Sequence, residues 1–111
     1  PGVQIGPLIN EQGLEKVEAH VADALGKGAK LVAGGKRGGA GALFYEPTLL
    51  TGMTPAMLVH AEETFGPVAG LFAFKSEADA VALANDTRFG LASYIYTREL
   101  GQAFRVAEAL E

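Results

Sequence analysis

Apolar residues recur along this chain in two rhythms, and each predicts its own elements. Leu14, Val17, Val21 and Leu25 fall three and four residues apart, which makes one apolar face of a helix beginning at Glu11. Asn10 stands where a helix cap is needed. Glu11 and Glu15 suit the first turns and Lys27 the end, while Gly26 and Gly28 stop the helix. The next run, 29–33 (AKLVA), reads as a short buried strand. Residues 43–50 (LFYEPTLL) read as an extended strand that Pro47 demotes to an edge or irregular one. Residues 51–59 form a turn, with one helical turn after Pro55. The mostly apolar run 67–74 (PVAGLFAF) fits a strand buried on both faces, with Gly70 marking a close approach. Ser76, with Asp79 three residues on, starts a helix that carries Val81 and Ala84 on its apolar face and ends at Asn85. Residues 91–96 (LASYIY) predict another strand. Leu100, Ala103, Phe104 and Ala107, extended by Leu110, then give a strong stripe for a helix over 99–110.

The second half therefore reads strand, helix, strand, helix. Apolar strands separated by amphipathic helices predict an α/β layer architecture, a partial open and mostly parallel sheet with flanking helices. The right-handed crossover rule would place the two later strands in one sheet. Residues 1–10 and the glycine-rich stretch 34–41 read as loops. The second is expected to be a mobile surface loop, because its spacing fits neither a dinucleotide-binding turn nor a phosphate loop. There is no internal repeat.

Composition narrows the classes. The 111 residues suffice for one modest domain, and 49% of them are hydrophobic, which argues against a disordered chain. A net charge of -4 with no basic cluster argues against a nucleic-acid partner. No apolar run reaches the roughly 18 to 20 residues of a membrane span, so no membrane partner is expected. A cytoplasmic location is the default, since nothing points elsewhere. Cysteine is absent, which removes disulfides, thiolate metal sites and thiol catalysis together. The chain opens at Pro1 without an initiator methionine and closes inside a predicted helix with no capping residue, which reads as a fragment.

Catalytic constellations are scarce. Ser76, Ser93, His20 and His60 are too scattered for a triad, and neither histidine has a partner at metal-ligand spacing. Each histidine reads as a surface or satisfied residue, so no catalytic or metal-binding residue is expected within the chain. The sharpest local feature is Glu62, Glu63, Thr64, Phe65, Gly66 and Pro67, just before a predicted buried strand. A carboxylate can accept hydrogen bonds from both hydroxyls of one ribose. An aromatic two residues later can lie against a flat ring, and a glycine lets the backbone come close. From spacing alone the plainer reading, solvated turn carboxylates beside a core phenylalanine, outweighs this one.

A resemblance changes the balance. The 62–67 segment is similar to the E-E-x-F-G-P segment of the aldehyde dehydrogenase superfamily, and other segments agree with it in order. Gly6 and Pro7 precede a helix as in that family. Gly28, Ala29 and Lys30, followed by Gly34 and Gly35, resemble its G-A-K-x-x-x-G-G strand, and Pro47 with Thr48 its P-T strand. Asn85, Phe89, Gly90, Leu91 and Ala92 match its N-x-x-x-[FY]-G-L-A segment. The resemblance covers essentially the whole chain and looks closest to succinate-semialdehyde dehydrogenases.

It implies that residues 1–111 are part of the catalytic domain of an NAD- or NADP-dependent enzyme oxidising an aldehyde, succinate semialdehyde above all. The nucleophilic cysteine, the general base, the oxyanion donor and the dinucleotide-binding domain would lie outside these residues. Glu63 matches the residue that holds the nicotinamide ribose hydroxyls, Phe65 the aromatic beside the nicotinamide, and Lys16 a position near the cofactor in some members. Gly13 and Ala61 depart from the family, which often carries a polar residue and a lysine there. The resemblance implies as partners the remainder of the parent enzyme, itself a homo-oligomer, and a small-molecule aldehyde. The chain by itself is expected to be inactive. The alternative is a stand-alone, non-catalytic binding module that kept the fold.

Overall fold

A computed structural model of the chain describes residues 5–39 and 41–111. The predicted loops at 1–10 and 34–41 therefore lie partly outside the described residues, at 1–4 and 40. The chain divides into two compact units, 1–73 and 74–111.

In the first unit, helix α1 (Glu11–Gly26) begins where the pattern places it, with the Asn10 side chain accepting from the Gly13 N–H at 2.8 Å. Its buried face is Leu14, Val17, His20, Val21 and Ala24. Leu25, expected inside, is exposed, because spacings of three, four and three from Leu14 carry the stripe to Ala24. A three-stranded sheet follows, in the order β1 (Lys30–Ala33), β2 (Thr48–Thr51), β3 (Val68–Leu71). Strands β1 and β2 pair antiparallel, with an irregularity between Leu31 and Ala33. Strands β2 and β3 pair parallel, Leu50 opposite Gly70. The fold is the expected open α/β sheet with flanking helices, and its two pairings divide evenly between the two senses.

Three expectations for the strands are corrected. β1 is exposed along its length and β3 is exposed at alternate residues, where both were read as buried. Both are edge strands here, and the buried cluster lies on one side of the sheet, so only one face of β3 is covered. Strand β2, expected to be an edge or irregular strand because of Pro47, is irregular in its pairing with β1 but central, so only the edge placement is corrected: Pro47 precedes the first ladder residue, where its missing N–H costs nothing. Its alternation puts Thr48 and Leu50 in the core with Leu14, Val17, Val21, Met53 and Met57.

The glycine-rich stretch also differs from expectation. Its described residues are bonded to their surroundings. Gly38 N–H donates to the Phe44 carbonyl at 2.7 Å, Gly35 N–H to Thr48 Oγ1 at 2.8 Å, and Arg37 bridges to Tyr45. The Arg37 side chain reaches α1, binding Glu18 through two bonds of 2.7 and 2.9 Å and Glu11 at 3.0 Å. Gly34 explains the composition. Its φ is +71°, and a Cβ there would stand 2.2 Å from the Pro47 carbonyl oxygen.

The second unit holds two helices, α3 (Glu77–Asn85) and α4 (Leu100–Ala109). Ser76 and Asp79 form the predicted reciprocal cap. Arg105 grips Glu77 through bonds of 3.0 and 2.9 Å, and the Asn85 side chain donates to Ala109 and accepts from Glu111 N–H. The strand expected at 91–96 is not formed. Its residues pair with nothing among the described residues, and Tyr96 is 92% exposed. A strand exists only with a neighbour to complete its ladder. The α4 stripe is also turned from expectation: Leu100 and Phe104 are exposed, while Gln102, Val106 and Leu110 line a groove with Val81 and Ala84.

Candidate functional site

The 62–67 segment is set by three anchors in the first unit. The first is the short helix α2 (Leu58–Ala61), which begins later than the helical turn expected after Pro55. Asp23 of α1 accepts from the Leu58 N–H at 2.8 Å and pairs with Lys27 at 2.7 Å, and Lys27 donates to the Ala56 carbonyl at 2.6 Å. Met57, fully buried, fixes the entry to α2 in the core. The hydrogen bond from Lys27, and after it that from the Leu58 N–H, hold the Asp23 carboxyl below its ordinary range.

A depressed carboxylate favours the folded form above its unfolded pKa, and that contribution is lost as pH falls through the folded value. Acidification below about pH 4 should therefore loosen α2. Hydrogen exchange at the Leu58 amide checks this: its protection should fall with acid, and Asp23→Asn should remove most of the pH dependence. Protection that tracks pH equally in Asp23→Asn would sink the idea.

The second anchor is His20, 2% exposed on the buried face of α1. Its Nε2 lies 3.3 Å from Glu62 Oε2 and its Nδ1 3.0 Å from Thr64 Oγ1. A carboxylate only accepts, so Nε2–H donates to Glu62, and in the neutral ring Nδ1 accepts from the Thr64 hydroxyl. His20 is thus a satisfied buried histidine, and the sequence holds a signal for it: position 20 falls on the same face as Val17 and Ala24, where a polar ring must find partners.

The third anchor is Gly66. A Cβ on it would stand 2.3 Å from Val17 Cγ2, so the segment passes against α1 with no room for a side chain. The expectation that Gly66 admits a ligand to the backbone is replaced by this packing role.

Between the anchors, Glu63 and Phe65 project away from the core. Glu63 is exposed, and its carboxylate has no hydrogen-bond partner among the described residues. Phe65 is 81% exposed and has φ 48°, a left-handed conformation that bulky residues rarely adopt. The plainer reading that made Phe65 a core residue is thereby excluded. Lys16 is exposed on α1, one turn before His20, and makes no ion pair among the described residues. The structure thus puts Glu63 and Phe65 on one displayed segment and Lys16 on the helix that anchors it.

An exposed carboxylate and an exposed aromatic ring two residues apart suit a ligand with vicinal hydroxyls and a flat ring. Among the described residues, no group of three or more histidine, aspartate or glutamate side chains is placed to hold a metal ion, and no helix is long and apolar enough to cross a membrane.

Residues 1–111 match the aldehyde dehydrogenase family. This chain belongs to that family. The NADP(+) succinate-semialdehyde dehydrogenase GabD of Escherichia coli K12 is 57% identical over 110 residues, covering 99% of this chain and 23% of that protein. A glutarate-semialdehyde dehydrogenase of Pseudomonas aeruginosa is 54% identical with the same coverages. Among solved structures, a succinate-semialdehyde dehydrogenase from Burkholderia pseudomallei superposes with a TM-score of 0.95 at 61% identity, over 99% of this chain and 23% of that one. The chain therefore spans about a quarter of the length of these aldehyde dehydrogenases.

Proposed function

We propose that this chain is the part of an NAD(P)-dependent aldehyde dehydrogenase catalytic domain that forms one wall of the nicotinamide site. In this reading Glu63 accepts from the two hydroxyls of the nicotinamide ribose, Phe65 packs beside the nicotinamide ring, and Lys16 lies near the cofactor. The observation that carries the reading is that Glu63 and Phe65 are both displayed from one segment whose Glu62, Thr64 and Gly66 are tied to α1. The residues fit the group: a carboxylate and a flat ring are what a nicotinamide riboside requires of a protein wall. When bound, the nicotinamide takes up hydride from the oxidised carbon, while these side chains orient it.

The substrate in this reading is a short aldehyde with a distal acid group, succinate semialdehyde first, as the names of the matched relatives suggest. The nucleophile, base and dinucleotide phosphate site would come from the rest of the enzyme, since this chain has no cysteine.

The expected result is that the full-length protein reduces NAD or NADP with succinate semialdehyde, followed at the absorbance of the reduced nicotinamide. The 111-residue chain alone should give no such signal and no micromolar cofactor binding by calorimetry. Aldehyde-dependent reduction by the isolated chain, or none by the full-length protein with any short semialdehyde, would overturn the reading.

A further inference from the structure

Phe65 combines two features uncommon in a bulky residue: a side chain 81% exposed, and a left-handed backbone at φ 48°. Its ring makes no hydrogen bond or aromatic contact among the described residues. A residue in a sparsely populated region persists only when its surroundings over-determine it. Here they do so from both sides. On one side Thr64 is bonded to His20 Nδ1 at 3.0 Å. On the other, Gly66 is seated against Val17 Cγ2 with no space for a Cβ. Val17 and His20 are three residues apart on α1, hence on one face of it. The two points form a clip spanning the single residue between them. His20 adds a third hold two residues back, since its Nε2 donates to Glu62 at 3.3 Å. Glu63 is thus enclosed between two residues bound to the same imidazole.

We infer that His20 is a positioning residue for the nicotinamide-binding segment. Its two ring nitrogens bind Glu62 and Thr64, the residues either side of Glu63, and together with the Gly66 seat on Val17 they impose the outward, left-handed Phe65. His20 itself touches no ligand. This rests on the roles proposed above for Glu63 and Phe65. Burial of the ring favours this arrangement, because a hydrogen-bonding ring on the buried face of α1, 2% exposed, has little solvent to exchange into and stays on its two partners.

The test uses the full-length protein that carries this chain and compares His20→Leu, Thr64→Val, Thr64→Ser, the double variant His20→Leu/Thr64→Val, and Glu63→Ala. His20→Leu keeps an apolar volume and loses both bonds. Thr64→Val loses only the hydroxyl, and Thr64→Ser keeps it. Either loss should raise the KM for NAD(P) about tenfold and leave the aldehyde KM within about twofold. Thr64→Ser should stay near the parent, and the double variant should be no worse than His20→Leu, since both act through one clip. If His20→Leu fails to fold, Thr64→Val decides alone, as it leaves the buried ring in place. An unchanged cofactor KM in folded Thr64→Val, or equal rises in both KM values, overturns the positioning role. A raised cofactor KM in Glu63→Ala with none in Thr64→Val sinks only the clip. No rise in Glu63→Ala sinks the nicotinamide-site reading itself.

Discussion

Alanine at position 66 is expected to destabilise the protein by about 1–3 kcal/mol, the usual cost of forcing extra atoms into a filled core. The added Cβ would lie 2.3 Å from Val17 Cγ2, a separation that real side chains do not show. The φ of Gly66 is not positive, so the backbone accepts alanine and the cost is steric alone. Val17 is fully buried against Leu14 and Val21 and has nowhere to retreat. The strain must therefore move the 62–67 segment, and Phe65 with it. Apparent Tm and cofactor KM should both change. Val17→Ala removes the offending methyl, so the double variant Val17→Ala/Gly66→Ala should be more stable than the sum of the two single losses, by about 1 kcal/mol. Thermal unfolding of the four proteins checks this. Additive losses, or a neutral Gly66→Ala, would show that Gly66 is not wedged on α1. Gly34 makes the useful contrast: its Cβ would meet the backbone oxygen of Pro47, and no side-chain truncation can relieve that.

Glu63→Ala should lower kcat/KM for NAD(P) about a hundredfold in the full-length enzyme, as expected when two hydrogen bonds to a charged acceptor are lost. Most of the loss should fall on the cofactor KM, because in the proposed reading the carboxylate holds a part of the cofactor that does not react. Stability should hardly move, since Glu63 is exposed and bonded to nothing among the described residues. Glu63→Gln, which keeps an acceptor oxygen without the charge, should fall between. The neighbouring Glu62→Ala should behave differently: it removes a partner of His20 and leaves the Glu63 acceptor itself intact. If Glu63→Ala retains cofactor affinity, the second acid is not the ribose acceptor.

Much of the fold could be read from the residues, in those elements whose cause is local. The α1 start at Glu11, the Asn10 cap and the Ser76–Asp79 cap all rest on contacts within four residues, and each stands where the pattern put it. Elements that depend on distant partners were less legible. The apolar run at 91–96 has strand composition, yet nothing among the described residues pairs with it. The exposed edges of β1 and β3, and the outward Leu100 and Phe104 of α4, follow the same rule: alternation and stripes say which face is apolar, and only neighbours say whether it is covered.

The candidate site divides in the same way. The order of residues placed Glu63 and Phe65 two apart before a strand, and the ordered segments from Gly6 to Ala92 pointed to the family that residues 1–111 match. That much is a property of the chain as a string. His20 read in the sequence as a surface or satisfied histidine, and which groups satisfy it was not legible, because its partners are 42 and 44 residues away. Gly66 read as an opening toward a ligand, and proved to be the contact point with Val17. For Phe65, spacing alone favoured a core position and the resemblance a place beside the nicotinamide; the ring is displayed, not core. Local sequence determined the helix caps, the apolar stripes and the order of residues in the 62–67 segment, all of which act over a few residues. Tertiary packing alone decided which way they face, because the imidazole of α1 and the seat on Val17 come from a helix more than forty residues before the segment they hold.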